Sequence, residues 1–138
     1  MERLTVPGTL ESLEAVADYV TAAAAAAGLD EETSYRLRLA VDEIVTNVVL
    51  HGYGDTGNKG VLDLQAGIEE KSLTIFIEDT GLTYNPHRYR RPEGLDLPID
   101  QRQVGGLGVY LAMRSVDKFL YERVGDRNRH TLVVNRRS

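Results

Sequence analysis

Leu37-Arg38-Leu39-Ala40-Val41-Asp42-Glu43-Ile44-Val45-Thr46-Asn47-Val48 is the centre of a run, Glu31 to His51, that contains neither glycine nor proline. Leu37, Ala40, Val41, Ile44, Val45 and Val48 recur at helical spacing, which predicts a largely buried helix with little room for charge. Glu43 and Asn47 stand four apart and so share one face of it. A carboxylate and an amide on a mostly apolar helix need partners, because unpaired buried polar groups are costly. The Asn47 carboxamide supplies a neutral hard oxygen, suited to Mg²⁺ beside phosphates. Glu43 within reach of a hydroxyl or water could orient or deprotonate it. The plainer alternative pairs Glu43 with Arg38 and lets Asn47 cap a loop.

Outward from this helix the chain alternates helix and strand signals. Leu4 to Val6 reads as a first strand, ended by Pro7-Gly8. Thr9, or else Ser12, N-caps a helix whose first turns hold Glu11 and Glu14. Ala22 to Ala27 extends that helix and Gly28 stops it. Val61 to Ile68 and Leu73 to Ile77 flank Glu69-Glu70-Lys71 as a hairpin. Phe119 to Val124 and Thr131 to Asn135 flank Gly125-Asp126-Arg127-Asn128 as a second. Helices gathered on one face of a mixed or antiparallel sheet make an α+β two-layer sandwich.

Two further blocks carry chemistry. The strand ending Ile77-Glu78 runs into Asp79-Thr80-Gly81. There an aspartate can accept a hydrogen bond from an exocyclic amine such as adenine's, and glycine lets the backbone pass close to a flat base. A plain turn uses the same residues. Gly105-Gly106-Leu107-Gly108 precedes an apolar-periodic run: Val109, Leu111, Ala112, Val116, Phe119, Leu120. A glycine turn opening a helix presents backbone N–H groups where the dipole favours an anion, and phosphate fits. A flexible connector is the alternative. No Gly-x-x-x-x-Gly-Lys-Ser/Thr occurs, so a P-loop is excluded. Leu82 to Val104 holds Pro86, Pro92, Pro98 and the arginines 88, 90, 91 and 102 without periodicity. That pattern suits a lid over bound phosphates, with arginines to meet γ-phosphate charge, or a solvated loop.

These blocks, in this order, resemble the GHKL ATPases, and most of all the bacterial anti-sigma-factor serine/threonine kinases. Val41-Asp42-Glu43-Ile44-Val45-Thr46-Asn47-Val48-Val49-Leu50-His51-Gly52-Tyr53 is similar to the family's N box. Asp79-Thr80-Gly81-Leu82-Thr83-Tyr84-Asn85-Pro86 is similar to its first glycine box and Gly105-Gly106-Leu107-Gly108-Val109-Tyr110-Leu111 to its second. Arg127-Asn128-Arg129-His130-Thr131-Leu132 resembles its close. The resemblance implies a Bergerat-type ATP-binding fold using ATP and Mg²⁺. Asn47 would be the Mg²⁺ ligand, Glu43 the catalytic base and Asp79 the adenine acceptor. Gly81, Gly105, Gly106, Leu107 and Gly108 would contact nucleotide, Thr131 would join the adenine hydrogen bonds, and Arg102 would assist transfer from the lid (82–104). It further implies a homodimer that phosphorylates a STAS-domain anti-anti-sigma partner and sequesters a sigma factor. The glycine-rich stretch 54–60 exceeds the pattern, and its role is open.

Composition bounds the rest. One domain accommodates 138 residues, of which 42% are hydrophobic and 27% charged, as in an ordinary globular protein. No cysteine is present, which removes disulfides and thiolate metal sites. His51, His87 and His130 have no zinc-ligand spacing. A net charge of −5 argues against a nucleic-acid partner. Arg127/Arg129 and Arg136/Arg137 read as a turn and a frayed tail rather than a DNA patch. Without a transmembrane-length apolar stretch or a signal peptide, the cytoplasm is the expected location and a membrane is not an expected partner. Two rivals remain beside the kinase. One is a nucleotide-gated binding module or sigma antagonist without transfer. The other is a retroviral-type aspartic protease built on Asp79-Thr80-Gly81, which needs an almost all-β chain.

Overall fold

A computed structural model describes residues 1–50, 60–80 and 113–136. The expected lid, the second glycine block, Arg102, Gly81 and His51 lie outside the described residues, as do residues 54–59 of the glycine-rich stretch.

Strand β1 spans Leu4–Pro7, and a 3-10 turn over Leu10–Ser12 leads into helix α1, Leu13–Ala26. Thr9 makes no side-chain cap; Ser12 is buried instead and its hydroxyl donates to the Pro7 carbonyl at 2.7 Å. The helix therefore opens later than Thr9 suggests. Its end follows the sequence closely. Gly28 adopts φ +70°, its N–H donates to the Ala25 carbonyl, and the Leu29 N–H reaches back to Ala24. This is a Schellman stop, and its left-handed position is why glycine stands there.

Helix α2 spans Glu31–Asn47 and is capped by Asp30, whose Oδ1 accepts from the Thr33 N–H at 2.7 Å. Glu31 and Glu32 occupy its first turn, where the dipole favours them. Its stripe of Leu37, Ala40, Val41, Ile44 and Val45 is buried as the periodicity requires, and a π turn carries the coil over 48–50.

Strands β2 (Val61–Ile68), β3 (Ser72–Asp79), β4 (Lys118–Val124) and β5 (Arg127–Asn135) complete an antiparallel five-stranded sheet, in the order β1-β2-β3-β5-β4. One face carries Leu62, Leu64, Ala66, Leu73, Ile75, Ile77, Leu132 and Val134, all fully or nearly buried against α1 and α2. Each Leu or Ile taken out of water there contributes roughly 1.5–3 kcal/mol. The architecture is thus the α+β two-layer sandwich, helices on one side, and two helices among the described residues remove the all-β protease.

The β4–β5 connection departs from expectation. The turn is only Gly125-Asp126, and β5 begins at Arg127. Gly125 has φ +64° and no described non-glycine residue has positive φ, a pattern that suits a type II′ hairpin. Asn128 is therefore a strand residue. Arg136 is likewise no frayed tail: its Nε donates to the Ala27 carbonyl at 2.8 Å and its Nη1 to that of Glu69 at 2.5 Å. It ties the end of α1 to the β2–β3 turn.

Candidate active site

Alternation along β3 places Leu73, Ile75, Ile77 and then Asp79 on the helix-covered face. Asp79 is 2% exposed at the strand's last position, in register with Leu62 on one side and Asn128 on the other. An ionised carboxylate buried so deeply needs donors. Asn128 Nδ2 donates to Asp79 Oδ1 at 2.9 Å, and Asn128 is itself 1% exposed. The Asn128 side-chain oxygen Oδ1 accepts from the Tyr121 hydroxyl and from Arg123 Nη1, the latter at 3.1 Å. Arg123 also donates to the Gly125 carbonyl at 3.2 Å, which anchors the network to the hairpin turn. His130 lies in the next inward rung, fully buried, its ring 5.2 Å from that of Tyr121 and edge-on to Phe119 at 6.2 Å.

Glu43 and Asn47 occupy the flank of the buried stripe on α2, both half-buried. Among the described residues no ion pair joins Glu43 to Arg38; Arg36 pairs with Glu32 instead. The same turns of α2 send Ile44, Val45 and Val48 into the cluster that holds Leu62, Ile77 and Leu132. Asp79 and the Glu43/Asn47 flank thus border one interlayer between helix and sheet. Thr131 does not join them. It falls between Phe76 and Leu120 in register, on the face away from the helices, while Asn128 and His130 take the inward positions near Asp79.

The far face of the sheet is a charged surface. Asp63, Glu78, Arg129 and Glu122 form one cross-strand rung. Arg127 bridges Asp63 at 3.0 Å and Glu78 at 3.3 Å, and Arg129 bonds Glu78 at 2.8 Å and Glu122 at 3.1 Å. Hydrogen bonds to Asp63 and then Glu78 raise the Arg127 pKa above the ordinary arginine value, and the bond to Glu78 raises that of Arg129. These basic residues are spent on neighbouring carboxylates rather than forming the exposed turn the sequence suggested. A recess of ≈ 270 Å³ on this face, lined in part by Arg3, Gln65, Phe76 and Arg129, is separated from Asp79 by the sheet itself.

The donor set suits a nucleotide with its metal. Asp79 is an oriented acceptor matched to an exocyclic amine, and Asn47 and Glu43 offer hard oxygens on one helix flank. What the sequence reading missed is the support around Asp79. Running the two-residue period of His130, Leu132 and Val134 back by one step would have placed Asn128 on the buried face.

A two-layer domain with an acceptor carboxylate ending an inner strand and a Glu-x-x-x-Asn helix across from it belongs to the class of nucleotide-binding sandwiches. The chain belongs to the histidine kinase-like ATPase domain family, whose profile matches residues 6–134. It is 34% identical over 85 residues to the serine-protein kinase RsbW of Bacillus velezensis, covering 59% of this chain and 52% of that protein. To the serine-protein kinase RsbW of Staphylococcus aureus it is 27% identical over 118 residues, covering 83% and 74%. The chain thus spans about half the length of the Bacillus relative. Its fold is similar to the histidine kinase domain of a blue-light-activated histidine kinase from Erythrobacter litoralis, with a TM-score of 0.55, 21% identity, and coverage of 88% of this chain and 60% of that one. Among the described residues no helix is long and apolar enough to cross a membrane.

Proposed function

We propose that this protein is a Mg-ATP-dependent serine/threonine protein kinase and an anti-sigma-type partner switch, which passes the γ-phosphoryl group to a hydroxyl on a STAS-domain anti-anti-sigma partner. The observation that carries the reading is Glu43, half-buried one turn before Asn47 on α2. A protein that only holds nucleotide has no use for a base beside its metal-binding amide. Similarity to serine-protein kinases of two genera supports the reading.

In this scheme Asp79 accepts a hydrogen bond from the adenine amine, and Asn47 offers its carboxamide oxygen to the metal. Mg²⁺, when bound, neutralises phosphate charge and orients the phosphates for in-line transfer. Glu43 takes the proton of the attacking serine or threonine hydroxyl as its oxygen bonds to the γ-phosphorus, while the bond from that phosphorus to the β–γ bridging oxygen breaks and ADP leaves. Gly81 and the block Gly105, Gly106, Leu107 and Gly108 supply backbone N–H groups, and Arg102 meets charge on the transferring group. Those residues lie outside the described ones, and their roles rest on the family resemblance. Thr131 also belongs to that resemblance, although its register sets it on the other face of the sheet. The protein works in the cytoplasm as a homodimer and turns a sigma factor on or off according to which partner it holds.

The experiment is transfer of labelled γ-phosphate into the proteins of a lysate, comparing wild type with Glu43→Gln. The expected result is one acid-stable labelled band that the variant does not produce. ATP binding with no transfer to a purified STAS partner would replace the kinase with a nucleotide-gated binding module.

A further inference from the structure

The rung Asp79–Asn128–Arg123 crosses three strands in register, and its polar groups are ordered. A primary amide can turn over, presenting either its NH₂ or its oxygen to a neighbour. Here the choice is made by Arg123. A guanidinium can only donate, so the Asn128 atom 3.1 Å from Arg123 Nη1 must be the oxygen. The Tyr121 hydroxyl donates to that same oxygen. The NH₂ is thereby turned toward Asp79 Oδ1, 2.9 Å away. Were the amide reversed, two acceptors would face each other in a site where Asp79 and Asn128 are 2% and 1% exposed. Direction therefore passes from a donor-only side chain at the hairpin, through an amide, to a carboxylate at the strand end.

We infer that Asn128 is a positioning residue that sets Asp79 as an acceptor for a purine 6-amino group, with Tyr121 and Arg123 fixing the direction of its amide. The inference rests on the assignment of Asp79 to adenine made under Proposed function. It makes base selectivity a property of the β4–β5 hairpin as well as of Asp79. An acceptor carboxylate, its plane held by Asn128, meets the 6-amine of adenine as a donor. The 6-oxo group of guanine is a second acceptor and is repelled. A 6-unsubstituted purine gains nothing from the arrangement, so it reports everything about binding except this contact.

The test is equilibrium binding of ATP, GTP and purine riboside 5′-triphosphate, which lacks the 6-amine, to the full chain with Mg²⁺. Three proteins are compared: wild type, Asn128→Leu, and Tyr121→Phe combined with Arg123→Met. Wild type should prefer ATP over the amine-free analogue by about tenfold or more, the worth of a hydrogen bond to a charged group. Asn128→Leu should lose that preference by weakening ATP alone, leaving the analogue's affinity within about twofold. The double variant should lower the preference roughly threefold, because the Asn128 oxygen then loses both donors that brace it and the amide holds Asp79 less firmly. A merely structural role for Asn128 would weaken ATP and the analogue equally, and that result overturns the inference. So does a preference that survives Asn128→Leu. If Asn128→Leu does not fold, as its thermal melt would show, an undiminished preference in the double variant is sufficient to overturn it. A wild-type protein that does not distinguish ATP from the analogue removes the Asp79 assignment itself, and this inference falls with it.

Discussion

At the scale of single residues, Asp79 and Glu43 are both carboxylates, and their surroundings suit them to the two different roles proposed above. Asp79 is sealed at the end of β3 with an amide donor on Oδ1, an arrangement for holding a fixed acceptor. Glu43 is half-buried on a helix flank, an exposure compatible with the base role proposed for it. Two nearly isosteric substitutions separate the roles. Asp79→Asn keeps the shape, but satisfying Asn128 turns the new oxygen toward it and the new NH₂ toward the nucleotide. A donor then faces the adenine amine, and ATP affinity should fall by about tenfold or more in calorimetry. Unchanged affinity would remove Asp79 from the site. Glu43→Gln should bind Mg-ATP as wild type does, yet transfer phosphate about 10²–10⁴-fold more slowly, the usual worth of a positioned base. Equal loss of binding in this variant would make Glu43 a structural residue.

Elements show which parts of the fold a sequence makes legible. The buried stripe of α2 follows from its 3.6-residue spacing, and the strand from Ser72 to Glu78 from its β-branched and aromatic residues; the structure carries that strand one residue further, to Asp79. Gly28 was legible for a local reason: a helix stop of this kind asks for a left-handed residue and the sequence supplies one. The start of α1 was not legible, since Thr9 and Ser12 are equally good caps on paper and tertiary packing buried the Ser12 hydroxyl against Pro7 instead. The β4–β5 turn was misread because Arg127, Asn128 and Arg129 look like loop residues. Their polarity is explained by partners distant in sequence, Asp63, Glu78 and Asp79. Of the candidate site, Glu43, Asn47 and Asp79 stood out as candidates by residue type and position, whereas Asn128 and Tyr121 did not, because their placement beside Asp79 depends on cross-strand register. Two substitutions probe these elements. Asp30→Ala removes the cap on the Thr33 N–H and should cost about 1 kcal/mol in urea unfolding. Gly125→Ala puts a Cβ at φ +64° and should cost about 1 kcal/mol as well. A cost near zero for the second would mean the turn relaxes, and ATP selectivity measured in the same protein would show whether the Arg123 anchor moved with it.

Across the whole molecule, the proposed nucleotide site borders the interlayer that holds the core, so nucleotide bound there would be linked to folding. Ile77 is fully buried and lies two residues before Asp79 on the same face; Leu132 and Ile44 belong to the same cluster. Anything that binds the folded state at this border and not the unfolded chain must stabilise the entire domain by RT ln(1 + [L]/Kd). At a hundredfold excess over Kd that amounts to about 2.7 kcal/mol, a large share of the roughly 5–15 kcal/mol that holds a domain folded. Mg-ATP should therefore raise the melting temperature of wild type by several degrees, on the order of 8 °C for a chain of this length. Asp79→Asn at the same ATP concentration should lose about half of that rise, since a tenfold weaker Kd removes about 1.4 kcal/mol. Arg136→Ala supplies the contrast. It removes donors to the Ala27 and Glu69 carbonyls at the end of α1 and should lower stability by about 1–3 kcal/mol. Its ATP-induced rise should nevertheless match that of wild type, because the clasp joins α1 to the β2–β3 turn and touches neither Asp79 nor the Glu43 flank. An Arg136→Ala protein whose ATP response also collapsed would place the nucleotide against that end of the domain, and the assignment of Asp79 would have to give way.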